Sequence, residues 1–397
     1  MAGLREIVAA FDVSKVSESY SGPLEITDLK DMLGTRGHVL VVRGDKAYAE
    51  ELGERAELAN PKFWLYEHLL HSTRVQAELA QNPEAALLDA TGFSALEAVG
   101  YHARQLGRKA VVVMAHEFLP PADIFKRYDI EVIHADLPAE EGYVRKLEEV
   151  VRSRKNLIFL NQGLYGPQAL APIGNRIVED LEEKMLIPNE TYWVLGTGAN
   201  IYGIGSKIAA AFRSKTIIVE PSDAPTLPPD LSSPTAVKAF SRHAWRTYQI
   251  KNWGGVYSGM FPLHLQFPSR YPLLLWAHTG NVGFDEARNV HAFEATQLQR
   301  ALRRLSPDYD WTETTALALV PAIESARKGK NVLVMAYGKW RKHRTRGGSV
   351  VNAPPWIFRG ETTLQKAALA ATVIAYAALG FFYVRDVPPD APSWPVP

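Results

Sequence analysis

Short apolar runs recur along the first 340 positions with stretches of helical period between them, and this alternation limits the fold more than any other feature. The runs are His38–Val42, Ala86–Thr91, Ala110–Met114, Glu131–Ile133, Leu157–Leu160, Trp193–Leu195, Thr216–Pro221 and Asn331–Ala336. Apolar on successive residues, they need cover on both faces. That is the condition of strands in a parallel sheet flanked by helices, not of a half-solvated antiparallel sheet. The intervening segments 62–79, 94–106, 122–128, 142–152, 172–184, 206–212, 293–305 and 312–327 are expected to be helices, with Asn60-Pro61 as a start signal for the first. An acidic amphipathic helix is expected over Ala47–Leu58, an N-terminal extension lying over the core at 1–36, and a loop region rich in Pro, Gly and aromatics from about Ser222 to Pro272. The resulting α/β class binds ligands at the carboxyl ends of its strands.

The most chemically suggestive stretch is Trp193 to Gly205. It reads as a strand end, then Gly196, Thr197, Gly198, Ala199 and Asn200, then an Ala-rich helix from Ser206 to Phe212. A strand, a glycine turn and a helix start aim backbone N–H groups at one point, where the positive end of the helix dipole also lies. Such a place suits a phosphate, and a tight turn without a ligand has the same spacing. Composition removes other chemistries. The 397 residues carry a formal charge of +1, so no overall field draws in nucleic acid, and they include no cysteine, so disulfides, thiolate metal sites and a Cys nucleophile are excluded. His68 and His71 within Tyr66–His71 are spaced i, i+3 with no third ligand in view, so no metal site is expected there. Met1–Glu6 lacks the basic-then-apolar pattern of a secretory signal.

The tail differs in character. Lys339–Arg346 is a basic run suited to acidic lipid or a partner surface, and Ala367–Val384 carries no charge between Lys366 and Arg385. The latter meets the lower length limit of a membrane-spanning helix. Ala367, Ala371 and Ala375 would let another such helix approach closely. A buried core or interface helix has the same composition. A Pro-rich end, Asp386–Pro397, follows.

Taken in order, several of these segments resemble the fold type II pyridoxal-phosphate enzymes, the family of cysteine synthase, O-phosphoserine sulfhydrylase and the tryptophan synthase β chain. Gly196–Asn200 falls at the family's phosphate loop, Val219-Glu220-Pro221 at the strand after it, and Asn161-Gln162 at an Asn-Gln or Asn-Pro pair before it. Val320–Ala326 is similar to a segment of the tryptophan synthase β chain. The resemblance covers about residues 38–340. It implies two parallel-sheet lobes over 37–340, the smaller at about 85–155 inserted in the larger, with 341–397 as basic linker, apolar helix at 367–384 and tail. It also implies that Lys62 would form the Schiff base with the cofactor, although the family's Thr-Gly-Ser turn before that lysine is missing. The substrate-carboxylate loop becomes Thr91-Gly92-Phe93-Ser94, with Thr91, Gly92 and Ser94 as substrate contacts, and the partner of the pyridine nitrogen becomes Ala336 or Tyr337.

Two functions are compatible with these residues. Three altered reactive features, an apolar C-terminal helix and a basic run point first to a non-catalytic accessory subunit of a larger membrane complex. Its cofactor site would be empty or vestigial, its partners other subunits and lipid, and its home an energy-transducing membrane such as the mitochondrial inner membrane. The alternative is an active pyridoxal-phosphate enzyme, soluble and cytoplasmic. It would be a β-replacing synthase or lyase on a serine-derived amino acid, with Lys62 as its reactive amine.

Overall fold

The computed structural model describes residues 20–114, 118–121, 123–135, 140–194, 198–222, 252–253, 256–257, 284–340, 343–345 and 350–351. The apolar segment 367–384 and most of the loop region 222–272 lie outside the described residues. Among the described residues, no helix is long and apolar enough to cross a membrane.

The strands are β1 (Ile26–Asp28), β2 (Val39–Val42), β3 (Ala86–Ala90), β4 (Ala110–Met114), β5 (Phe118–Leu119), β6 (Ile130–His134), β7 (Leu157–Phe159), β8 (Glu190–Val194) and β9 (Lys215–Pro221). After them come β10 (Asn252–Trp253), β11 (Val256–Tyr257), β12 (Glu286–Val290), β13 (Val332–Met335), β14 (His343–Thr345) and β15 (Val350–Val351). A six-stranded sheet runs β1-β2-β13-β8-β9-β12 and a four-stranded sheet runs β6-β4-β3-β7. Every pairing in these two sheets is parallel except β1 with β2. The α/β class expected from the apolar runs is the class observed. Val39–Val42, Ala110–Met114 and Val332–Met335 are buried along their whole length, as strands covered on both faces must be.

The helices are α1 (Lys30–Leu33), α2 (Ala49–Leu52), α3 (Lys62–Leu70), α4 (Thr73–Gln81), α5 (Phe93–Gln105), α6 (Ile124–Arg127), α7 (Glu140–Ser153), α8 (Gln162–Glu183), α9 (Ser206–Phe212), α10 (Ala292–Leu305) and α11 (Glu313–Arg327). Several differ from expectation for identifiable reasons. The helix expected over 47–58 is four residues of α2 followed by a 3₁₀ segment, because Gly53 takes φ +57° and breaks the α ladder. The helix expected over 62–79 is two, because Ser72 turns extended and caps α4 by accepting from Val75 N–H. The helix expected over 172–184 begins ten residues earlier, at Gln162, and runs through Pro167 and Pro172. Part of the expected extension is a strand, since β1 pairs along the edge of β2. Strand β12, Glu-Ala-Arg-Asn-Val, is too polar for an apolar-run search; it sits at the sheet edge, where Glu286 reaches Lys215 and Arg288.

Helix α3 is central to the packing. Phe63, Trp64, Leu65, Tyr66, Leu69 and Leu70 are all buried, which leaves it almost no solvent face, and it packs against both α5 and α8. Across from it, α8 meets the turn after β8 through small residues. A Cβ on Gly166 would lie 2.8 Å from the Ala199 Cβ, and one on Gly203 would lie 2.6 Å from the Pro167 carbonyl oxygen.

Candidate active site

The carboxyl ends of three strands converge beside the start of α3. Asn60 shapes this start: its side-chain oxygen accepts from Lys62 N–H at 2.9 Å, and its amide nitrogen donates to the Leu58 and Ser94 carbonyls at 2.8 and 3.2 Å. The end of β13 lies against the same turn, since a Cβ on Gly338 would rest 3.6 Å from both the Ala59 carbonyl oxygen and the Asn60 Cβ. Gly44 leaves room for this meeting; a Cβ there would strike Pro61 Cγ at 2.4 Å and the Ala336 carbonyl oxygen at 2.6 Å.

Lys62 does not stand on the surface. It is half-buried, and Nζ donates to Gln162 Oε1 at 2.6 Å. Gln162 opens α8 directly after Asn161, which takes φ +53°, a conformation Asn tolerates better than most residues. Gln162 and Gly166 lie one turn apart on the same face of α8, about 6 Å along its axis. Gly166 is the point that touches Ala199. The amine is therefore held by the same helix, α8, that one turn further on touches the 198–205 turn. Desolvation lowers the Lys62 pKa to about 8, and the Asp89 carboxylate acts in the opposite sense.

Of the expected phosphate loop, Gly196 and Thr197 lie outside the described residues. Gly198 takes φ +82°, which only glycine adopts freely, and its carbonyl accepts from Tyr202 N–H at 3.0 Å as the helical turn begins. Ala199 is buried and Asn200 half-buried at that turn. Tyr337 is half-buried at the end of β13, and its phenol oxygen accepts from Val194 N–H at 3.2 Å, bracing the last residue of β8 before the loop. Burial raises the Tyr337 pKa, so the phenol keeps its proton and can still donate it.

The expected substrate contacts are more dispersed. Thr91 is buried at the end of β3, with its hydroxyl 3.4 Å from the Gly92 carbonyl oxygen. Gly92 is the extended residue before α5, and Ser94 is exposed in the first turn of that helix. The Phe93 side chain lies outside the described residues. His68 is engaged by the Trp64 carbonyl, 2.9 Å from Nδ1.

Two site residues escaped the sequence reading. They are Tyr66 and Asp89; Asp89, next to last in β3, is fully buried and accepts from Tyr66 Oη at 2.9 Å and from Ala90 N–H at 2.8 Å. Burial raises its pKa to about 6 against these donors and Lys62. The signal was present: Asp89 is the charged residue of an otherwise apolar strand, and such a residue rarely enters a core without partners.

The fold has counterparts of known structure. The chain aligns with cysteine synthase from Entamoeba histolytica at 14% identity and TM-score 0.56, over 85% of this chain and 88% of that one. The chain has the cysteine synthase fold. A hydrogen sulfide-producing enzyme from Fusobacterium nucleatum aligns at 16% identity and TM-score 0.55, over 80% of this chain and 93% of that one. A further hydrogen sulfide-producing enzyme, captured with an α-aminoacrylate intermediate, aligns at 16% identity and TM-score 0.56, over 84% and 89% of the two chains. No family model matches the sequence, and no curated protein matches it. The two-lobed fold type II arrangement implied by the order of the motifs is thus the arrangement found.

Proposed function

We propose that this chain is a pyridoxal-phosphate-dependent enzyme acting on an amino acid, a β-replacing synthase or lyase for a serine-derived substrate, with Lys62 as the amine that joins the cofactor aldehyde. The observation that carries this reading is the position of Lys62. A lysine in a first helical turn would ordinarily extend into water. Here it turns inward onto Gln162 of α8, the helix whose Gly166 touches Ala199 beyond the glycine turn, and its lowered pKa leaves part of it neutral and nucleophilic near pH 7.

The residues fit the cofactor's three demands. Gly198, Ala199 and Asn200 open a helical turn that would take the phosphate, Lys62 would supply the amine, and the Tyr337 hydroxyl, at the end of β13, would partner the pyridine nitrogen. When bound, the cofactor would act as an electron sink for charge developing at an amino acid's α-carbon. Gly92 and the first turn of α5 would receive the substrate carboxylate at the helix's positive end, and the Asn60 bond to the Ser94 carbonyl fixes that turn relative to Lys62.

The test is to mix the full chain with pyridoxal phosphate, reduce with borohydride, and locate the added mass by peptide mapping. The adduct is expected on Lys62 and absent from Lys62→Ala. An adduct confined to other lysines, or none, overturns the assignment and leaves the non-catalytic accessory subunit as the better account.

A further inference from the structure

Helix α3 presents a second site residue one turn beyond Lys62. Tyr66 lies at i+4, on the same face, and its hydroxyl donates to Asp89 Oδ2 at 2.9 Å. From Asp89 the contacts close into a ring. Its Oδ1 accepts from Ala90 N–H at 2.8 Å, the Ala90 carbonyl accepts from Gln162 Nε2 at 2.8 Å, and Gln162 Oε1 accepts from Lys62 Nζ at 2.6 Å. The Gln162 backbone N–H, the first of α8, also favours the Asp89 anion. The ring joins the packed pair α3 and α8 to strand β3. Gln162 and Tyr66 are both satisfied within it without a ligand. The arrangement leaves a buried carboxylate held by donors from three elements and linked to the amine through Ala90 and Gln162.

We propose that Asp89 is a positioning residue that sets the protonation state of Lys62, with Tyr66 and Gln162 fixing the carboxylate and the amine in register. The inference rests on Lys62 being the reactive amine of the proposed function. Without a carboxylate an amine in this place would shed its proton at a lower pH, and one fully paired with it would keep the proton to a higher pH. A hydrogen-bonded carboxylate whose own proton affinity is raised holds the amine between these limits. Among the described residues, Asp89 is the charged group acting on Lys62; the groups facing Asp89 are Lys62 and Tyr66 from α3, Gln162 from α8 and Ala90 from its own strand.

The experiment measures the amine directly and needs no aldehyde. The full chain is labelled with trace acetic anhydride at a series of pH values beside a free amino-acid standard, and acetylation of the Lys62 peptide is read by mass spectrometry. Wild type is expected to give a midpoint near 8. In Asp89→Asn the midpoint should fall by about one unit, which raises labelling at pH 7 about fivefold. A second reading uses only the wild-type protein, so it survives a variant that fails to fold. Asp89 titrates near pH 6, so around that pH Lys62 labelling should decline less steeply than for a single titrating group. An unbent single-group curve in wild type, or an unchanged or raised midpoint in folded Asp89→Asn, overturns the proposal. A shifted Lys62 midpoint with no pyridoxal-phosphate adduct would instead retain the pairing and reject the proposed function.

Discussion

Replacing Gly203 with alanine tests how closely α8 and the turn after β8 must approach for the site to exist. The new Cβ would sit 2.6 Å from the Pro167 carbonyl oxygen, 2.8 Å from Leu170 Cβ and 3.2 Å from Pro167 Cα. None of these atoms is the free end of a side chain that can swing away. Ordinary contact begins near 3.4 Å, so the two elements must separate by about 0.8 Å at the oxygen. Forcing apart a packed contact of this kind costs about 1–3 kcal/mol. The displacement would fall between α8, whose first residue holds Lys62, and the turn beginning at Gly198, so amine and phosphate site would move apart. The expected result is a loss of that stability in urea together with at least tenfold weaker pyridoxal-phosphate binding, followed by absorbance. Gly34→Ala is the control. Gly34 has φ +61° and nothing within 4 Å of the added carbon, so it should cost about 1 kcal/mol through backbone strain and leave binding unchanged. Unaltered stability and affinity in Gly203→Ala would refute the claim that this crossing positions the site. An equal binding loss in the control would show that affinity merely follows stability.

Three further expectations concern stability. Arg43 is buried at the end of β2, where it pairs with buried Asp45 at 2.8 Å and with Asp308 at 2.7 Å and lies over the Trp311 ring; Arg43→Met, which leaves Asp45 buried without its main partner, should lose about 3–5 kcal/mol in urea unfolding. Glu313 is buried with Trp340 Nε1 donating to Oε1 and, among the described residues, no partner on Oε2, and burial raises its pKa to about 7. The folded state thus binds a proton that the unfolded chain releases near the ordinary glutamate value of 4.5, so stability falls as pH rises from about 4.5 to 7. Relative to Glu313→Gln, wild type should lose on the order of 3 kcal/mol across that window in denaturation midpoints. His102 runs the other way. Burial lowers its pKa to about 4, so its contribution is lost as pH falls from 6.5 through 4, and Glu313→Gln should expose that acid-side slope.

The site was legible in proportion to how local its signals are. The glycine turn, Asn161-Gln162 and the start signal at Asn60-Pro61 could be read because turns and caps are built from neighbouring residues. That made Lys62 a candidate, but its neighbours in sequence could not say whether it faced water or protein. The missing Thr-Gly-Ser turn argued against a working lysine. The structure offers a different local solution, with Asn60 capping α3 in that place and Gln162, a hundred residues along, receiving the amine. Asp89 carries a signal, a charge in an apolar strand, but its partner Tyr66 lies on another element, and only the packing of β3 against α3 joins them.

The sequence by itself determined the class of fold. Apolar runs with no alternation must be buried on both faces, and helical periods between them supply the cover, so a parallel α/β architecture follows from residue order. Elements whose stability is not local were left to the tertiary structure. The polar strand β12 forms because β9 offers it an edge, α8 continues through two prolines within its packing, and the helix expected at 47–58 breaks at Gly53. Tertiary structure alone also decided the chemistry of Lys62. The charge of an amine depends on what surrounds it in space, and here those surroundings come from two distant segments, β3 and the start of α8.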